Sequence, residues 1–500
     1  MMAYVIGVDL GTSAVKVLLV NQQGDVVQEV SKSYPLIQEK AGYSEQDPDE
    51  WVGQTVAALS ELLKAFPGKP DEIEGLSFSG QMHGLVLLDE QHEVLRNAIL
   101  WNDTRTTTEC EDIYNVVGEE KLLDITKNPA LEGFTLPKIL WVKKHEPDLY
   151  SRARLFLLPK DYVRYKLTGQ LHMDYSDAAG TLLLNVSEKK WSDTLCQLLD
   201  IDRSLCPPLI GSHEAVGTIT PDIAQQTGLP ESTRVFAGGA DNACGAIGAG
   251  VLEDGLTMCS TGTSGVVLSY ESSNDKDFAG KVHYFNHGAP DAYYTMGVTL
   301  SAGYSLTWFK ENFAPDQSFE DLLADIDSVP PGSEGLLFTP YLSGERTPHA
   351  DSAIRASFIG MDAGHERKHL VRSVLEGITF SLNEAITIFR EQGKQIDTIV
   401  SIGGGAKNED WLQMQADIFD AKIIRLSSEQ GPGMGAAMLA AYGSGWFDSL
   451  QACADVFLKT DQTFAPQPEN VATYKELFPL YQDVYQQTKT LNESLRAYRH

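Results

Sequence analysis

The chain contains one short pattern twice, about half its length apart. A run of apolar residues leads into Leu-Gly-Thr-Ser at residues 10–13, and another apolar run follows. The same arrangement returns as Thr-Gly-Thr-Ser at residues 261–264, again between two apolar runs. A repeated unit with the same context on both sides indicates two related domains, each beginning with a strand–Gly-Thr-Ser–strand hairpin. Two related domains also imply a cleft between them, which is a common location for a ligand site.

Strand and helix signals alternate along the chain. Three apolar runs, at residues 5–10, 15–20 and 25–30, are separated by short turns, which predicts an antiparallel meander. Pro48 then opens an amphipathic helix with Asp47 as its cap. The alternation continues, so the sequence predicts the α/β class with mixed sheets.

A run of small residues at 248–250 stands just before the second hairpin. We therefore predict two domains, residues 1–247 and residues 248–500. The last segment, residues 472–499, has the charge and periodicity of a helix. We expect it to pack back on one of the two domains instead of forming a third.

The charge balance excludes several kinds of partner. The 500-residue chain has 39 basic and 69 acidic residues, a net charge of −30, and no dense basic run. Such a chain is repelled by phosphate backbones and by anionic membrane surfaces. We expect no nucleic-acid partner and no membrane partner, which leaves a soluble enzyme or a small-ligand binder.

The cysteines and the N-terminal residues favour a cytoplasmic location. The six cysteines are scattered without a CxxC pair, which excludes a zinc ribbon or a redox dithiol and fits a reducing compartment. The residues before Asp9 carry no basic stretch, as expected of a strand and not of a signal peptide. The sequence also has no window of about 18 uninterrupted apolar residues, the length of a membrane span.

The first hairpin carries groups that suit phosphate. Gly11 makes a turn that lets backbone N–H groups approach a ligand closely, and Thr12 and Ser13 add hydroxyls. Asp9, at the end of the preceding strand, can hold Mg²⁺ beside those phosphates. An ordinary hairpin turn is the alternative interpretation, and the second copy of the pattern weakens it.

Two glycine-rich segments lie in the second half. A strand at residues 400–402 runs into three glycines at 403–405, and a helix follows Asn408. Such a junction is a usual place for a nucleotide packed against the backbone, although a tight turn needed for helix packing is the alternative. Residues 431–437 resemble a dinucleotide fingerprint but lack the preceding strand and the acidic residue beyond it. They predict small-residue helix packing.

Asp241 follows a strand that ends in glycines, and it starts a helix of small residues. A carboxylate there can orient a substrate hydroxyl or accept its proton. The positive end of the helix would keep the carboxylate ionised and weaken it as a base. Phosphoryl transfer tolerates a weak base, because its loose transition state needs the hydroxyl oriented more than deprotonated. A helix N-cap is the other interpretation.

Two further segments predict a polar ligand pocket. Gln81, Met82 and His83 join two strands and bring together an amide, a thioether and an imidazole. Residues 101–105 begin with Trp101 and present an aromatic ring among polar groups, as polyol-binding surfaces do. The alternatives are a hydrogen-bonded loop histidine at the first segment and a local salt bridge at the second.

Residues 365–369, His-Glu-Arg-Lys-His, match the zinc-peptidase pattern HExxH. The two central positions, Arg367 and Lys368, are charged and lie in the first turn of a helix whose apolar face begins at Leu370. A zinc site needs a buried helix face there, so we reject the metal interpretation.

Taken together, these motifs resemble the FGGY family of carbohydrate kinases. The resemblance runs over nearly the whole chain, and residues 133–141 and 357–376 are similar to the family signatures. Further segments are similar to the members that phosphorylate D-xylulose, namely residues 80–84, 101–103, 158–162, 177–181 and 343–349.

The resemblance implies an actin-like, ribonuclease-H-like ATPase fold in each half, with an interdomain cleft. It implies transfer of the γ-phosphoryl group of ATP to the terminal hydroxyl of D-xylulose, with Mg²⁺, and Asp241 as the base on that hydroxyl. A homodimer is expected from the family. The binding residues implied are, for the sugar, Gln81, Met82, His83, Trp101, Asp241 and Asn242; for the phosphates, Thr12, Ser13, Gly262 and Thr263; for the adenosine, Gly404, Gly405 and Asn408; and for the metal, Asp9.

Other activities remain open at this point. Glycerol kinases carry Arg-Glu where this chain has Met82 and His83, which disfavours glycerol. Gluconate kinases are more similar, and His83 is a candidate cationic partner for the carboxylate of such a sugar. A non-catalytic actin-like ATPase and a sugar-binding regulator are the non-kinase alternatives. The presence of Asp9, Asp241 and both hairpins favours a kinase over either of them.

Overall fold

A seven-stranded sheet forms the centre of each half of the chain. The computed structural model describes residues 3–428 and 430–499. In spatial order, the first sheet consists of Ala215–Thr218, Arg234–Phe236, Ile73–Gly80, Tyr4–Leu10, Ala14–Asn21 and Val26–Ser33, with Gly239–Ala240 also paired to Ile73–Gly80. The second sheet consists of His283–Asn286, Tyr293–Thr299, Gly265–Glu271, Leu256–Thr261, Thr398–Gly403, Lys422–Leu426 and Thr460–Phe464.

The two sheets share one pattern of strand directions. In each sheet the two strands of the Gly-Thr-Ser hairpin pair antiparallel, and the first of them has a parallel neighbour on its other side. A second parallel strand and then an antiparallel strand follow outward in both. The predicted meander at the start of the chain is present. The predicted α/β class with a duplicated domain is therefore confirmed.

Helices cover both sheets. Those of the first half are Pro48–Ala65, Thr107–Val117, Glu119–Thr126, Thr135–His145, Pro147–Arg152, Pro159–Thr168, Tyr175–Ala179, Asp193–Leu198, Pro221–Thr227 and Asp241–Gly248. Those of the second half are Gly303–Phe313, Phe319–Leu323, Arg367–Glu391, Glu409–Phe419, Gly431–Gly443, Leu450–Phe457 and Pro468–Leu495. Among the described residues, five short strand pairs lie outside the two large sheets: Glu45–Gln46 with Ala98–Ile99, Val86–Leu88 with Leu155–Leu157, Met173–Asp174 with Leu209–Ile210, Leu184–Asn185 with Lys190–Trp191, and Leu337–Thr339 with Ser357–Ile359.

Local predictions agree with this architecture. Asp47 caps the helix Pro48–Ala65 by accepting a hydrogen bond from the backbone N–H of Asp49 at 3.0 Å. The C-terminal helix Pro468–Leu495 packs back on the second half, where Tyr474 and Tyr481 are buried.

The HExxH histidines do not form a helical pair. His365 precedes the helix Arg367–Glu391, whereas His369 lies inside it. The Nδ1 atom of His365 accepts a hydrogen bond from the backbone N–H of Asp362 at 2.9 Å. This placement agrees with rejecting a zinc motif there.

Two helices of small residues join the halves of the molecule. Asp241–Gly248 packs against Gly431–Gly443, and a Cβ atom built on Gly435 would lie 1.9 Å from the carbonyl oxygen of Cys244. The prediction of helix packing at residues 431–437 is confirmed. The same helix, Gly431–Gly443, also packs on the strand Tyr4–Leu10 of the first sheet. The boundary that we predict, between residues 247 and 248, coincides with the end of Asp241–Gly248 and stays a prediction.

All six cysteines are free and buried, as expected of core thiols. Within residues 3–428 and 430–499, no helix combines the length and the apolar character needed to cross a bilayer.

We expect Gly435→Ala to lower the free energy of unfolding by about 2–3 kcal/mol, because the added methyl group meets backbone that cannot yield easily. The matched control is Gly53→Ala, on the exposed face of Pro48–Ala65, where a Cβ atom meets nothing within 4 Å. That change should raise the free energy of unfolding by about 0.5–1 kcal/mol, since alanine favours a helix more than glycine does. Urea denaturation of both variants measures the difference, and equal midpoints would contradict the close packing.

Candidate active site

Two cavities lie on either side of the second Gly-Thr-Ser hairpin. The small cavity, of about 250 Å³, takes one wall from the first half and one from the second. The first half contributes Met82, His83, Trp101, Asp241 and Asn242, and the second half contributes Ser264 and Arg346.

The large cavity, of about 760 Å³, lies in the second half. Gly262, Thr263, Gly404, Gly405 and Asn408, all predicted to bind nucleotide, line it together. The backbone N–H of Gly303, at the start of the helix Gly303–Phe313, donates to the carbonyl oxygen of Gly262 at 2.8 Å. Because Ser264 faces the small cavity, the hairpin forms the partition between the two cavities.

Asp241 occupies the first position of the helix Asp241–Gly248 and faces the small cavity. Its Oδ1 atom accepts hydrogen bonds from the backbone N–H of Asn242 at 2.7 Å and from the Asn242 side-chain amide at 3.1 Å. The residue at the cap position is Ala240, which offers no capping side chain. The N-cap interpretation of Asp241 is therefore wrong, and its carboxylate is available to a ligand.

The electrostatics of Asp241 also differ from the prediction. Burial, and then the negative charge of Asp9, raise the pKa of the Asp241 carboxyl to about 7, although the Asn242 N–H opposes the rise. The helix terminus was expected to keep this carboxylate ionised. Desolvation and like charge outweigh the helix dipole here, because removing a carboxylate from water destabilises its charge more than one helix N-terminus stabilises it. Asp241 is thus a better base than the sequence predicts.

Asp9 ends the strand Tyr4–Leu10 and lies near enough to Asp241 for their charges to interact. Burial raises the pKa of Asp9, and a hydrogen bond from Ser79 and the charge of Lys16 lower it in part. A carboxylate such as that of Asp9 offers the hard oxygen ligands that Mg²⁺ takes. The residues present therefore fit a magnesium ion, which the Asp9 carboxylate would hold beside bound phosphates.

His83 adopts a left-handed backbone conformation, with φ of +69°, at the wall of the small cavity. Its Nδ1 atom lies 2.6 Å from the carbonyl oxygen of Gly180. A carbonyl only accepts, so Nδ1 carries the proton and Nε2 is left as an acceptor. Burial, then the nearby charge of Lys138, lower the pKa of His83 to about 3. The suggestion that His83 supplies a cation is therefore wrong.

A buried lysine holds the other side of His83. The ammonium of Lys138 donates to the carbonyl oxygens of His83 at 3.2 Å and of Phe134 at 3.1 Å, and it also bonds the carbonyl of Gly133. Thr135 donates its hydroxyl to the same His83 carbonyl at 3.0 Å. The family-like segment at residues 133–141 thus fixes the backbone of His83.

A second buried lysine lies at the centre of three carboxylates. The ammonium of Lys160 lies 2.7 Å from Asp161, 2.7 Å from Asp174 and 2.8 Å from Asp177, and all four side chains are fully buried. Burial alone would lower the pKa of Lys160, but the three carboxylates outweigh it and raise the pKa. These three carboxylates could form a metal site, but the Lys160 ammonium already supplies the cation at their centre.

The lysine cluster connects to two of the predicted site residues, Asp241 and His83. Asp174 accepts hydrogen bonds from Ser176, whose hydroxyl oxygen accepts one from the backbone N–H of Ala240 at 2.9 Å, next to Asp241. Asp177 lies in the helix Tyr175–Ala179, which leads to Gly180 and its bond to His83. A Cβ atom on Gly180 would lie 3.0 Å from the His83 ring, so glycine is needed for this close approach.

The structure agrees with both interpretations of residues 101–105, a ligand-binding surface and a local salt bridge. The Trp101 side chain lines the small cavity, is 44% exposed, and donates from Nε1 to the hydroxyl of Thr12 at 2.9 Å. Arg105 and Asp103 form the local salt bridge at 2.6 Å. Thr12, predicted to bind phosphate, thereby lies at the rim of the small cavity beside Ser13.

Gln81 is placed differently from the prediction. It is 1% exposed, and its side-chain amide donates to Gln46 at 3.2 Å instead of lining the small cavity. The side chains of Gln81 and Met82 point in different directions, so only Met82 reaches the small cavity.

The side chain of Asn408 has a structural role, since it caps the helix Glu409–Phe419 by accepting a hydrogen bond from Trp411 N–H at 2.8 Å.

The sequence interpretation missed several residues at the two cavities. Arg346 lines the small cavity, and Tyr304 and Lys407 line the large one. Arg346 belongs to the family-like segment at residues 343–349, to which no role was given. Lys407 follows the glycine-rich junction directly, a position at which a cation would suit phosphate.

Comparison with known proteins identifies the family. The model of the FGGY family of carbohydrate kinases, N-terminal domain, matches residues 4–248, and that of the C-terminal domain matches residues 257–444. The chain belongs to the FGGY family of carbohydrate kinases. Its two domains therefore have the actin-like ATPase fold that the resemblance implies, and phosphoryl transfer from ATP to a sugar is the chemistry of this family.

Individual FGGY kinases resemble the chain over its full length. It is 61% identical to the xylulose kinase of Bacillus subtilis over 498 residues, with 100% of both chains covered. The ligand-bound xylulose kinase from Lactobacillus acidophilus has a TM-score of 0.93 at 29% identity, with 97% of this chain and 98% of that chain covered. A gluconate kinase from Lactobacillus acidophilus reaches 0.92 at 29% identity, with 98% of each chain covered. Overall shape thus does not separate the two sugar classes.

We expect Lys160→Met to lower the free energy of unfolding by about 3–5 kcal/mol, because it leaves three buried carboxylates without their cation. Lys64→Met, at an exposed position near the end of Pro48–Ala65, is the matched control and should change it by less than about 0.5 kcal/mol. Chemical denaturation of the two variants provides the comparison. A loss below about 1 kcal/mol for Lys160→Met would mean that the cluster does not hold this region together.

Proposed function

We propose that the protein transfers the γ-phosphoryl group of ATP to the terminal hydroxyl of D-xylulose, giving D-xylulose 5-phosphate and ADP. The observation that carries the proposal is the position of Asp241 in a small polar cavity that the second hairpin separates from the large cavity. The 61% identity to a xylulose kinase over the whole chain supports D-xylulose as the sugar.

Asp241 orients the terminal hydroxyl and accepts its proton. The hydroxyl oxygen then bonds to the γ-phosphorus while the bond to the β–γ bridging oxygen breaks, and ADP leaves with that oxygen. A pKa of about 7 leaves a substantial fraction of the carboxylate ready to take a proton near neutral pH. The hydroxyl is held in place as the loose transition state develops, which is the larger contribution in phosphoryl transfer.

The first half of the chain holds the sugar. The unprotonated Nε2 of His83 accepts a hydrogen bond from a sugar hydroxyl, and the Asn242 amide lies beside Asp241 to share the reacting end. Met82 and the Trp101 ring cover the carbon skeleton, since both line the cavity with apolar surface. Closure of the two halves over the sugar excludes water, which would otherwise accept the phosphoryl group.

The second half holds ATP. Gly262 and Thr263 face the phosphates, and Gly404, Gly405 and Asn408 face the adenosine. We assign Thr12 and Ser13 to the phosphates as well, because they form the same hairpin in the first half. When bound beside Asp9, Mg²⁺ would neutralise phosphate charge that develops during the transfer.

Two lesser parts of the proposal concern the setting of the enzyme. We place it in the cytoplasm, where six free buried thiols stay reduced. We also expect two copies to associate. Four exposed apolar side chains on the C-terminal helical segment, Leu480, Leu491, Leu495 and Tyr498, offer a surface for association.

We expect Asp241→Asn to reduce kcat at least about 100-fold, because general-base positioning contributes that much or more, while D-xylulose affinity changes less than about tenfold. ADP release with Mg-ATP is measured with D-xylulose, D-ribulose, L-ribulose, gluconate, glycerol and no sugar. Asp254→Asn, an exposed carboxylate outside both cavities, is the control and should keep full activity. Sugar-independent hydrolysis, or no stimulation by any sugar, would contradict the kinase proposal.

The pKa of Asp241 also predicts a pH profile. A base acts only when deprotonated, so log kcat/KM for D-xylulose should rise with slope one below pH 7 and level off above it, following the pKa of about 7. The profile is recorded at constant Mg-ATP. The residual activity of Asp241→Asn should lack the rise, and an unchanged profile in that variant would assign the ionisation to another group.

A further inference from the structure

Arg346 is a cation without a partner at the wall of the small cavity. Its side chain is partly buried there. Across residues 3–428 and 430–499, its guanidinium makes neither a hydrogen bond within 3.5 Å nor an ion pair within 4.0 Å. An arginine has five N–H donors in a planar fork, and those of Arg346 are open to the cavity instead of being sealed in the core.

The nearest carboxylate on the same loop is already engaged. Glu345 accepts from the backbone N–H of Leu300 at 3.0 Å and from that of Arg346 at 2.8 Å with Oε1, and from the Ser381 hydroxyl at 3.0 Å with Oε2. These bonds fix the backbone on which the guanidinium is mounted. Glu132 is the other carboxylate whose charge reaches Arg346, and it does not form an ion pair with it. The side chain is held in position and still lacks an acceptor.

Arg346 lies near the strand that pairs with His283: the next residue, Thr347, donates its backbone N–H to the carbonyl oxygen of Val298 at 3.0 Å, two positions along the strand from Met296, the partner of His283. The charge of Arg346 lowers the pKa of the imidazoles of His83 and His283, both of which line the cavity. The pKa of Asp241 is set instead by burial, by Asp9 and by Asn242. The guanidinium therefore stands nearer to the histidines than to the base.

We propose that Arg346 binds the end of the sugar remote from the hydroxyl that is phosphorylated, and that it lets the same cavity bind sugar acids that carry a carboxylate at that end. The inference rests on the proposed function, since the reacting hydroxyl is taken to lie at Asp241. In D-xylulose the remote end carries the C2 carbonyl and the C1 hydroxyl, two acceptors that a planar guanidinium can bond together.

A carboxylate at the same end is a stronger partner. In D-xylonate, of the same chain length as D-xylulose, it would meet the guanidinium in a bidentate, charge-assisted pair. Both facing histidines, His83 and His283, are neutral, so they neither compete with Arg346 for the carboxylate nor replace it. Selectivity between ketose and sugar acid is thus a property of Arg346 and not of His83.

The test is equilibrium binding of D-xylulose and D-xylonate by calorimetry, without ATP. The unaltered protein should bind D-xylonate in competition with D-xylulose. Arg346→Met should weaken D-xylonate binding roughly 100-fold and D-xylulose binding roughly tenfold, as expected for a charged and a neutral acceptor losing an arginine. Arg346→Lys keeps the charge but not the fork, and should retain part of the D-xylonate affinity. Arg355→Met, whose guanidinium bonds backbone carbonyls on an exposed loop, is the control and should change neither affinity.

The outcomes separate this inference from the proposed function. If D-xylonate does not compete, or if Arg346→Met weakens both ligands equally, Arg346 does not select for a carboxylate and the inference is overturned. A folded Arg346→Lys that binds neither ligand also overturns it, since a lysine should rescue the acid in part. Failure of the proposed function would appear elsewhere, as absence of D-xylulose phosphorylation by the unaltered protein.

Discussion

The contact between two small-residue helices is the constraint on which the position of Asp241 depends. Gly435 approaches the Cys244 carbonyl so closely that no side chain fits between them. Cys244 belongs to the helix that Asp241 begins, and the partner helix, Gly431–Gly443, also packs on the strand that ends near Asp9. The position of Asp241 relative to Asp9 therefore depends on one backbone-to-backbone contact. A larger residue at the contact would move the helix of Asp241 away from the strand of Asp9.

Burial shifts the pKa values of the ionisable groups around the site in different directions. Desolvation raises the pKa of Asp241 into the neutral range and lowers that of His83 far below it, so the first accepts protons and the second stays neutral. Lys138 and Lys160 are equally buried, but both already have partners. Lys138 donates to backbone carbonyls, and Lys160 pairs with carboxylates. Arg346, at the small cavity, has N–H donors without a protein acceptor. This contrast makes it the candidate for binding the end of the sugar remote from the reacting hydroxyl.

Sequence reasoning succeeded where short-range rules apply and failed where distant segments meet. The meander, the capped helix at Pro48 and the packing of residues 431–437 follow from periodicity, turn residues and side-chain size, which act within about 20 residues of chain. Asp241 was found because a carboxylate after a glycine-ended strand is conspicuous. Its proton affinity was misjudged, because the charge of Asp9 comes from 232 positions away along the chain. The side chain of Gln81 was misplaced because its partner, Gln46, lies on another segment.

The sequence by itself determined the duplicated α/β architecture, the two Gly-Thr-Ser hairpins, the glycine-rich junction and the family. Each of these follows from a local sequence pattern that allows few backbone conformations. Only the tertiary structure decided that the hairpin separates two cavities, that His83 is neutral, and that two buried lysines fix the backbone around the site. It alone also brought Arg346 to face the first half of the chain. The reason is physical: pKa values and unpaired donors depend on which distant groups exclude water from one another, and no local pattern records that.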